Sequence, residues 1–353
     1  MHRIAGSLAG AGWKVTLIGR KKKKSGTVLL SNIKVIRVNT WFERGIGFYF
    51  VLNVQFFFRA LLARTACLMS VDLDTLPGIR LASVLRNKTM IWDCHEIFSQ
   101  MPELYKNPLK QKTWKLLERL TVPSLGKVIA VNEGVARYLE NNYSIKAAIV
   151  HNYPVSYPEE IPPEVKLASG LVLFQGAINE GRCLDILIRS VHRLDPALKL
   201  VIIGDGPLKS YIQSLSRSLG LEHSIEFSGE LPPEELRKRT PGVFLGISLL
   251  DANHGNSLIS LANKNLDYIM AGVPALTMNF PEYYKINVQW PVAILLQTVT
   301  EETVSKKINS LFHDLTAYRS MHSACLEARQ VLCWERESGK LISFLNNMEV
   351  NQD

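Results

Sequence analysis

Apolar residues along this chain gather into short runs, separated by longer stretches in which they recur every three or four positions. The runs at residues 14–19, 33–38, 66–71, 88–92, 127–131 and 147–150 read as strands, with helical segments between them, notably 110–120. Residues 153–163 then carry Pro154, Pro158, Pro162 and Pro163, a density that breaks helix and strand alike and reads as a linker. Beyond it the alternation restarts with strands expected at 171–175, 198–203, 224–228, 243–249, 275–278 and 292–295 and a helix at 184–194. Long helical segments, 302–318 and 321–346, close the chain. Strand and helix alternating in this way predict an α/β protein with a doubly wound parallel sheet, twice over.

Residues 1–11 read as a helix, with Ile4, Leu8 and small alanines on one face and Gly10 and Gly12 at its end. A parallel α/β domain normally opens on a strand, because its first helix needs a sheet to cover. The first strand of the N-terminal domain is therefore expected to be missing, with apolar surface exposed, unless the start falls at an internal methionine. The Phe-rich segment 45–63, which includes Phe48, Phe50, Phe56, Phe57 and Phe58, is interrupted by Asn53, Gln55 and Arg59. It is too short and too polar to span a bilayer, and reads as a buried or interfacial helix.

At 353 residues the chain exceeds what one core usually holds. Its 47% apolar and 21% charged residues describe a globular protein, not a disordered one. The net charge of +9 divides unevenly: residues 1–155 hold 23 Lys and Arg against 9 Asp and Glu, or +14, and the remainder 18 against 23, or −5. A basic half of this kind suits an anionic membrane surface or acidic substrate, whereas the zinc-ligand spacing and aromatic signatures of nucleic-acid binders are missing. The run Lys21 to Lys24 reads as a solvated loop or an anionic-surface contact. Cys67, Cys94, Cys183, Cys325 and Cys333 are scattered, odd in number and mostly within apolar runs, as reduced core residues are. No signal peptide opens the chain, and a cytoplasmic location follows as the expectation.

Candidate chemistry lies at strand ends, where sheets of this class bind ligands. The loops expected there are Asp72 to Pro77, Asp93 to Glu96 and Asn132 to Gly134; among them, His95 can donate to a sugar hydroxyl or phosphate near neutral pH. In the second half, Asn263 to Met270 reads as a short helix stopped by Gly272 and Pro274. Helical spacing puts Lys264, Asp267 and Tyr268 at i, i+3 and i+4, so an ammonium and a carboxylate are expected on one face. Such a pair suits a nucleotide diphosphate, the cation and free N–H groups taking phosphate and the carboxylate the ribose hydroxyls, although an ordinary surface ion pair has the same spacing.

Together these stretches resemble the family 4 glycosyltransferases of GT-B fold, in particular bacterial members. Phe174 to Arg182 (FQGAINEGR), Val201 to Pro207 (VIIGDGP) and Asn263 to Leu276 (NKNLDYIMAGVPAL) resemble that family's donor-side loops, helix and strand. Asp72 to Pro77 (DLDTLP), Trp92 to Glu96 (WDCHE), Val131 to Ala136 (VNEGVA) and Cys333 to Glu337 (CWERE) match the N-terminal domain and the terminal helix that often packs back on it. The resemblance implies two Rossmann-like domains facing across a cleft: an acceptor-side domain at 1–153, a Pro-rich linker at 154–168, a nucleotide-sugar domain at 169–322 and a terminal helix at 323–353. Two departures stand out. Of the two carboxylates that relatives commonly carry eight positions apart, Asp267 occupies the second position and Ile259 the first. The strand and flexible loop that precede the first helix in relatives, where the loop helps form the acceptor and phosphate site, have no counterpart here.

The activity so implied is sugar transfer from a nucleotide-sugar donor to a glycan or lipid-linked acceptor, with retained configuration and without a metal or other cofactor. By the same resemblance, Arg182 and Lys264 would stabilise the departing diphosphate, His95 would touch the donor sugar or phosphate, and Asp267 would hold the ribose. Gly176, Gly204, Asn256 and Ser257 would line the donor site, the segment Asp251 to Ser257 contacting sugar or phosphate through its N–H groups and side chains. The basic, Phe-rich first half would meet the anionic inner face of the membrane peripherally. Two alternatives remain open: a non-catalytic relative that binds a nucleotide sugar or partner, favoured by Ile259 and the missing strand, and a nucleotide-sugar epimerase. A nicotinamide dehydrogenase is a poor fit, because no glycine-rich fingerprint with its trailing acid follows a first strand.

Overall fold

The structure, a computed structural model, describes residues 1–21, 33–105, 107–156, 159–253 and 255–347. The chain divides into two compact units, Met1–His151 with Arg336–Asp353, and Asn152–Glu335. Lys22 to Lys24 of the lysine run, Pro158 and His254 lie outside the described residues.

The first unit runs α1 (His2–Gly10), β1 (Val15–Arg20), β2 (Ile33–Val38), α2 (Ile46–Leu62), β3 (Cys67–Val71), α3 (Asp72–Leu85), β4 (Thr89–Cys94), α4 (Pro108–Thr121), β5 (Val128–Ala130), α5 (Glu133–Tyr143) and β6 (Ala148–Ile149). Its strands are parallel but form two sheets, β1-β2 and β3-β4-β5-β6. β1 and β3 do not pair with each other, so the two sheets are separate.

Two expectations for this unit change. Asp72 to Pro77 is the start of helix α3 and not a loop, even though Pro77 lacks the N–H a helix interior uses. Asn53 of α2 explains how: its amide inserts into the α3 ladder, Nδ2 donating to the Asp74 carbonyl at 2.8 Å and Oδ1 accepting from the Gly78 N–H at 2.9 Å. A Cβ on Gly78 would stand 2.4 Å from the Asn53 carbonyl oxygen, so only glycine lets the two helices meet there. The segment 45–63 is helical, and its row Phe48, Leu52, Phe56 and Ala60 packs into a core with Val38, Leu68, Ile79 and Ala82.

The second unit runs α6 (Pro163–Ser169), β7 (Leu171–Gln175), α7 (Leu184–Ser190), β8 (Lys199–Ile203), α8 (Lys209–Ser218), β9 (Ile225–Gly229), α9 (Pro233–Arg239), β10 (Leu245–Ser248), α10 (Gly255–Ile259), α11 (Asn263–Met270), β11 (Ala275–Met278), α12 (Pro281–Gln289), β12 (Ala293–Leu296), α13 (Glu301–Phe312) and α14 (Leu315–Arg329). Helix α15 (Trp334–Asn346) follows. Six parallel strands lie in the order β12-β11-β10-β7-β8-β9, so the direction of winding reverses between β7 and β10. The proline-dense stretch is partly helical, because Pro163 opens α6 at a position that needs no N–H donor. The expected closing helix 302–318 is broken at Asp314, whose side chain caps the N-terminus of α14 by accepting from the Ala317 N–H.

Helix α15 is held to the first unit by His151. Its backbone N–H and ring Nδ1 both donate to Glu337 Oε1, at 2.8 and 2.9 Å, and Nε2 lies 3.6 Å from Glu133. Burial alone would depress the imidazole, but the two carboxylates outweigh it and raise its pKa to about 9. A pKa raised above its unfolded value gives stability that is full below about pH 6.5 and is lost as pH rises through about 9. Urea unfolding should therefore show the wild type more stable than Glu337→Gln by about 2 kcal/mol near pH 6, with the gap closing by pH 10. A gap unchanged across that range would rule out the ion pair as its source.

Candidate functional site

The loops leaving the winding reversal of the second unit are built by glycine. After β7 the chain turns at Gly176 (φ +122°), and after β8 at Gly204 (φ +154°). A Cβ on Gly204 would stand 1.9 Å from the Gly176 carbonyl oxygen, and one on Gly206 would stand 2.4 Å from that of Ile178. The Ile178 N–H donates to the Asp205 carbonyl and the Leu208 N–H to that of Ile178, at 3.0 and 3.1 Å. The segment after β10 joins the same surface: the Asp251 N–H donates to the Gly181 carbonyl at 2.9 Å. Gly176 and Gly204 thus shape the loops, a role their missing side chains allow.

Helix α11 lies against the end of β7. Tyr268 drives its ring over Gly246, where a Cβ would stand 2.3 Å from the ring. Its hydroxyl donates to the Leu173 carbonyl at 2.9 Å and accepts from the Gln175 N–H at 3.3 Å, pinning the helix where β7 and β10 part. The far end is capped by a buried lysine: Lys166 of α6 donates to the carbonyls of Ala271 and Gly272 at 2.6 and 2.9 Å, and His322 Nδ1 meets the latter at 2.6 Å. Gly272 is left-handed (φ +64°), ending the helix as its sequence predicts.

Lys264 and Asp267 do not form the expected shared face. Lys264 turns inward, with its ammonium 3.7 Å from the centroid of the Phe174 ring, and Nζ makes no hydrogen bond among the described residues. Asp267 instead accepts from Gln175 Nε2 at 3.4 Å, while Gln175 Oε1 accepts from Thr240. Burial first, and then the charge of Arg182, hold the Lys264 pKa well below the usual lysine range. The charge of Arg182, on the loop that Gly176 opens, thus reaches Lys264. Cys183, left-handed at the start of α7 (φ +50°), is driven up to about 12, chiefly by burial and then by Asp251 and Asp185. On α10, a short helix, Ser257 is buried and Asn256 half-buried.

In the first unit His95 follows β4. Its Nε2 lies 2.9 Å from Asp93 Oδ2, and its backbone N–H donates to Asp72 Oδ1 at 2.8 Å. Burial lowers the imidazole pKa, but Asp93, by hydrogen bond and charge, and Asp72 outweigh it and raise it overall. Asp72 is itself left-handed (φ +56°), a conformation that costs a non-glycine residue energy and here aims its carboxylate at the His95 backbone. Burial pushes Asp72 up to about 7 and Asp74 to about 6. What sequence reasoning missed is this acidic support, and in the second unit Phe174, Gln175 and Tyr283, whose hydroxyl accepts from the Ala262 N–H at 3.0 Å just before α11. Only Asp93, two positions before His95, left a local signal.

Residues 159–325 match the model of the family described as Glycosyl transferases group 1. The chain is 29% identical over 129 residues, 35% of each chain, to N-acetylgalactosamine-N,N'-diacetylbacillosaminyl-diphospho-undecaprenol 4-alpha-N-acetylgalactosaminyltransferase of Campylobacter jejuni. It is 23% identical over 269 residues to chitobiosyldiphosphodolichol beta-mannosyltransferase of Candida albicans, covering 69% of this chain and 58% of that one. The chain thus spans about a third and somewhat over half of these curated relatives. Among solved structures, sucrose-phosphate synthase of Thermosynechococcus elongatus superposes with a TM-score of 0.78 at 14% identity, over 98% of this chain and 91% of that one. An Anabaena protein solved with UDP and glucose does so with 0.72 at 12% identity, over 95% and 100%. The fold is that of the GT-B glycosyltransferases, with two Rossmann-like units.

A buried ammonium without a partner is a cost the folded protein carries in the absence of an anion. Lys264→Met should therefore leave the thermal midpoint of the free protein unchanged or raise it, while removing any midpoint shift produced by a nucleoside diphosphate. A fall on the order of 5 °C or more in the free variant would show that Lys264 is a structural residue.

Proposed function

We propose that this protein is a glycosyltransferase that moves a sugar from a nucleotide-sugar donor to a glycan or lipid-linked acceptor. The observation that carries the reading is Lys264: a buried ammonium over Phe174, next to Arg182, at the point where the second sheet reverses its winding. Sheets of this class bind ligands at that reversal, and a diphosphate supplies the anion that Lys264 lacks among the described residues. The family match over 159–325 covers this region, and the lipid-linked substrates in the names of the two relatives support the acceptor class.

In this reading the departing nucleoside diphosphate gains negative charge, which Arg182 and Lys264 stabilise in place of a metal. Asp267, held by Gln175, accepts from the ribose hydroxyls. The loop Gly176 and Gly204 bring the backbone close to the phosphates, while Asn256 and Ser257 contribute from α10. In the first unit, His95, its ring fixed by Asp93, is the group suited to donate to a sugar hydroxyl or phosphate. Transfer proceeds with retention, and the protein works at the inner face of a membrane.

A second reading, a non-catalytic relative that binds a nucleotide sugar, draws on two features: Ile259 stands where a carboxylate is common, and the first unit's sheet is broken between β1 and β3. Turnover separates the two.

Thermal unfolding with UDP-, GDP-, ADP- and dTDP-sugars tests the donor site. Ligand at about a hundred times its dissociation constant adds roughly 2.7 kcal/mol, a rise on the order of 5–10 °C for a unit of this size. The expected result is a rise with one base, absent in Lys264→Ala; no rise with any of them would defeat the reading. A rise without sugar turnover on lipid-linked acceptors would select the non-catalytic relative.

A further inference from the structure

Helix α2 is apolar on both sides, and the core uses only one. Phe48, Leu52, Phe56 and Ala60 are buried in the first unit. A second row, Ile46, Phe50, Val54, Phe58 and Leu62, runs the whole helix at intervals of four and is 37% to 82% exposed. The rows are offset by two positions, about 200° around the helix, and so lie on opposite sides. Trp41, just before the helix, is 89% exposed.

The polar residues of α2 do not interrupt the outer row. Asn53 turns inward to Tyr49 and Asp74 of α3, and Gln55 donates to the Asn39 carbonyl. Along the helix itself the charge is cationic. No acidic residue occurs between Glu43 and Asp72, whereas Arg44, Arg59 and Arg64 do, all exposed. Arg86 adds a fourth cation at the far end, where it donates to the Leu61 carbonyl at 3.0 Å.

We infer that this face of α2 is a docking surface for an anionic lipid bilayer, on which the helix lies in the plane of the headgroups with its outer row in the acyl boundary. No helix among the described residues is long and apolar enough to cross a membrane, so α2 rests on the surface. A tryptophan at one end and arginines alongside suit the interface, where an amphipathic ring and cations meet lipid phosphates. A second copy of the chain fits less well, because burying these arginines against a segment that has no acid leaves them unpaired. The inference rests on the proposed function only for its purpose, bringing a lipid-linked acceptor within reach.

Co-sedimentation with vesicles tests it, using phosphatidylcholine alone and phosphatidylcholine mixed with phosphatidylglycerol. The protein should partition at least about tenfold better onto the anionic vesicles, and raised salt should weaken that binding. Phe50→Ser/Phe58→Ser should lower it by at least about tenfold with the thermal midpoint retained, since both side chains are exposed. Arg59→Gln/Arg64→Gln should weaken it and flatten its salt dependence. Equal binding by both variants and the wild type would overturn the inference. So would a dimer in sedimentation equilibrium that the serine variant dissociates while vesicle binding persists. Neither readout involves sugar transfer, and nucleotide-induced thermal shifts should be the same in these variants, so a failed transferase reading and a failed docking surface give different results.

Discussion

The hydroxyl of Tyr268 fixes the geometry on which the second unit's site depends. One donated and one accepted hydrogen bond fasten α11 to β7 where β7 and β10 separate. The other end of the helix is held by two carbonyls that Lys166 and His322 satisfy. These anchors fix the C-terminal half of α11, and the Ala262 N–H donating to Tyr283 holds the chain just before its first turn, so Lys264 lies against Phe174 with no hydrogen-bond partner for Nζ among the described residues. The unit uses two buried lysines in opposite ways. Lys166 meets carbonyl oxygens and stabilises a helix end, while its pKa falls to about 8 through burial. Lys264 meets an aromatic face and the charge of Arg182, with no hydrogen-bond partner among the described residues, which is what the proposed diphosphate would supply.

The first unit solves a different problem, holding an imidazole in place among carboxyl groups brought from two strand ends. Asp93 fixes the His95 ring, and Asp72, strained at its left-handed backbone, fixes the His95 N–H. Burial raises Asp72 to about 7, so near neutral pH it stands beside Asp74 only partly ionised. The same unit carries the exposed cations and the exposed row of α2, so its buried chemistry is acidic and its surface basic.

Much of this architecture was legible because strand and helix periods differ and because glycine has few substitutes. The strands 171–175 and 275–278 coincide with β7 and β11, and Gly272 ends α11 as read. Proline misled in two places for one reason: its missing N–H matters only where no other donor or acceptor compensates. Pro163 begins a helix, and the helix that runs through Pro77 is mended by Asn53 from 25 positions away. The pairing of Lys264 with Asp267 failed for a similar reason. Spacing along a helix tells which residues are neighbours, but Phe174 and Gln175, brought from the sheet, decide where each side chain turns. The acids around His95 were invisible as a group, because β3 and β4 bring Asp72 beside it only once the sheet has formed.

The proposed donor site requires that Lys264 stay uncompensated until an anion arrives. The most direct measurement is its own titration, followed by NMR of isotopically labelled lysine, assigned with Lys264→Met and repeated with a saturating nucleoside diphosphate. The expected result is a pKa well below the usual lysine value of about 10.4 in the free protein, rising by at least about one unit when the diphosphate binds. A free-protein pKa near that of an exposed lysine, unmoved by the nucleotide, would contradict it.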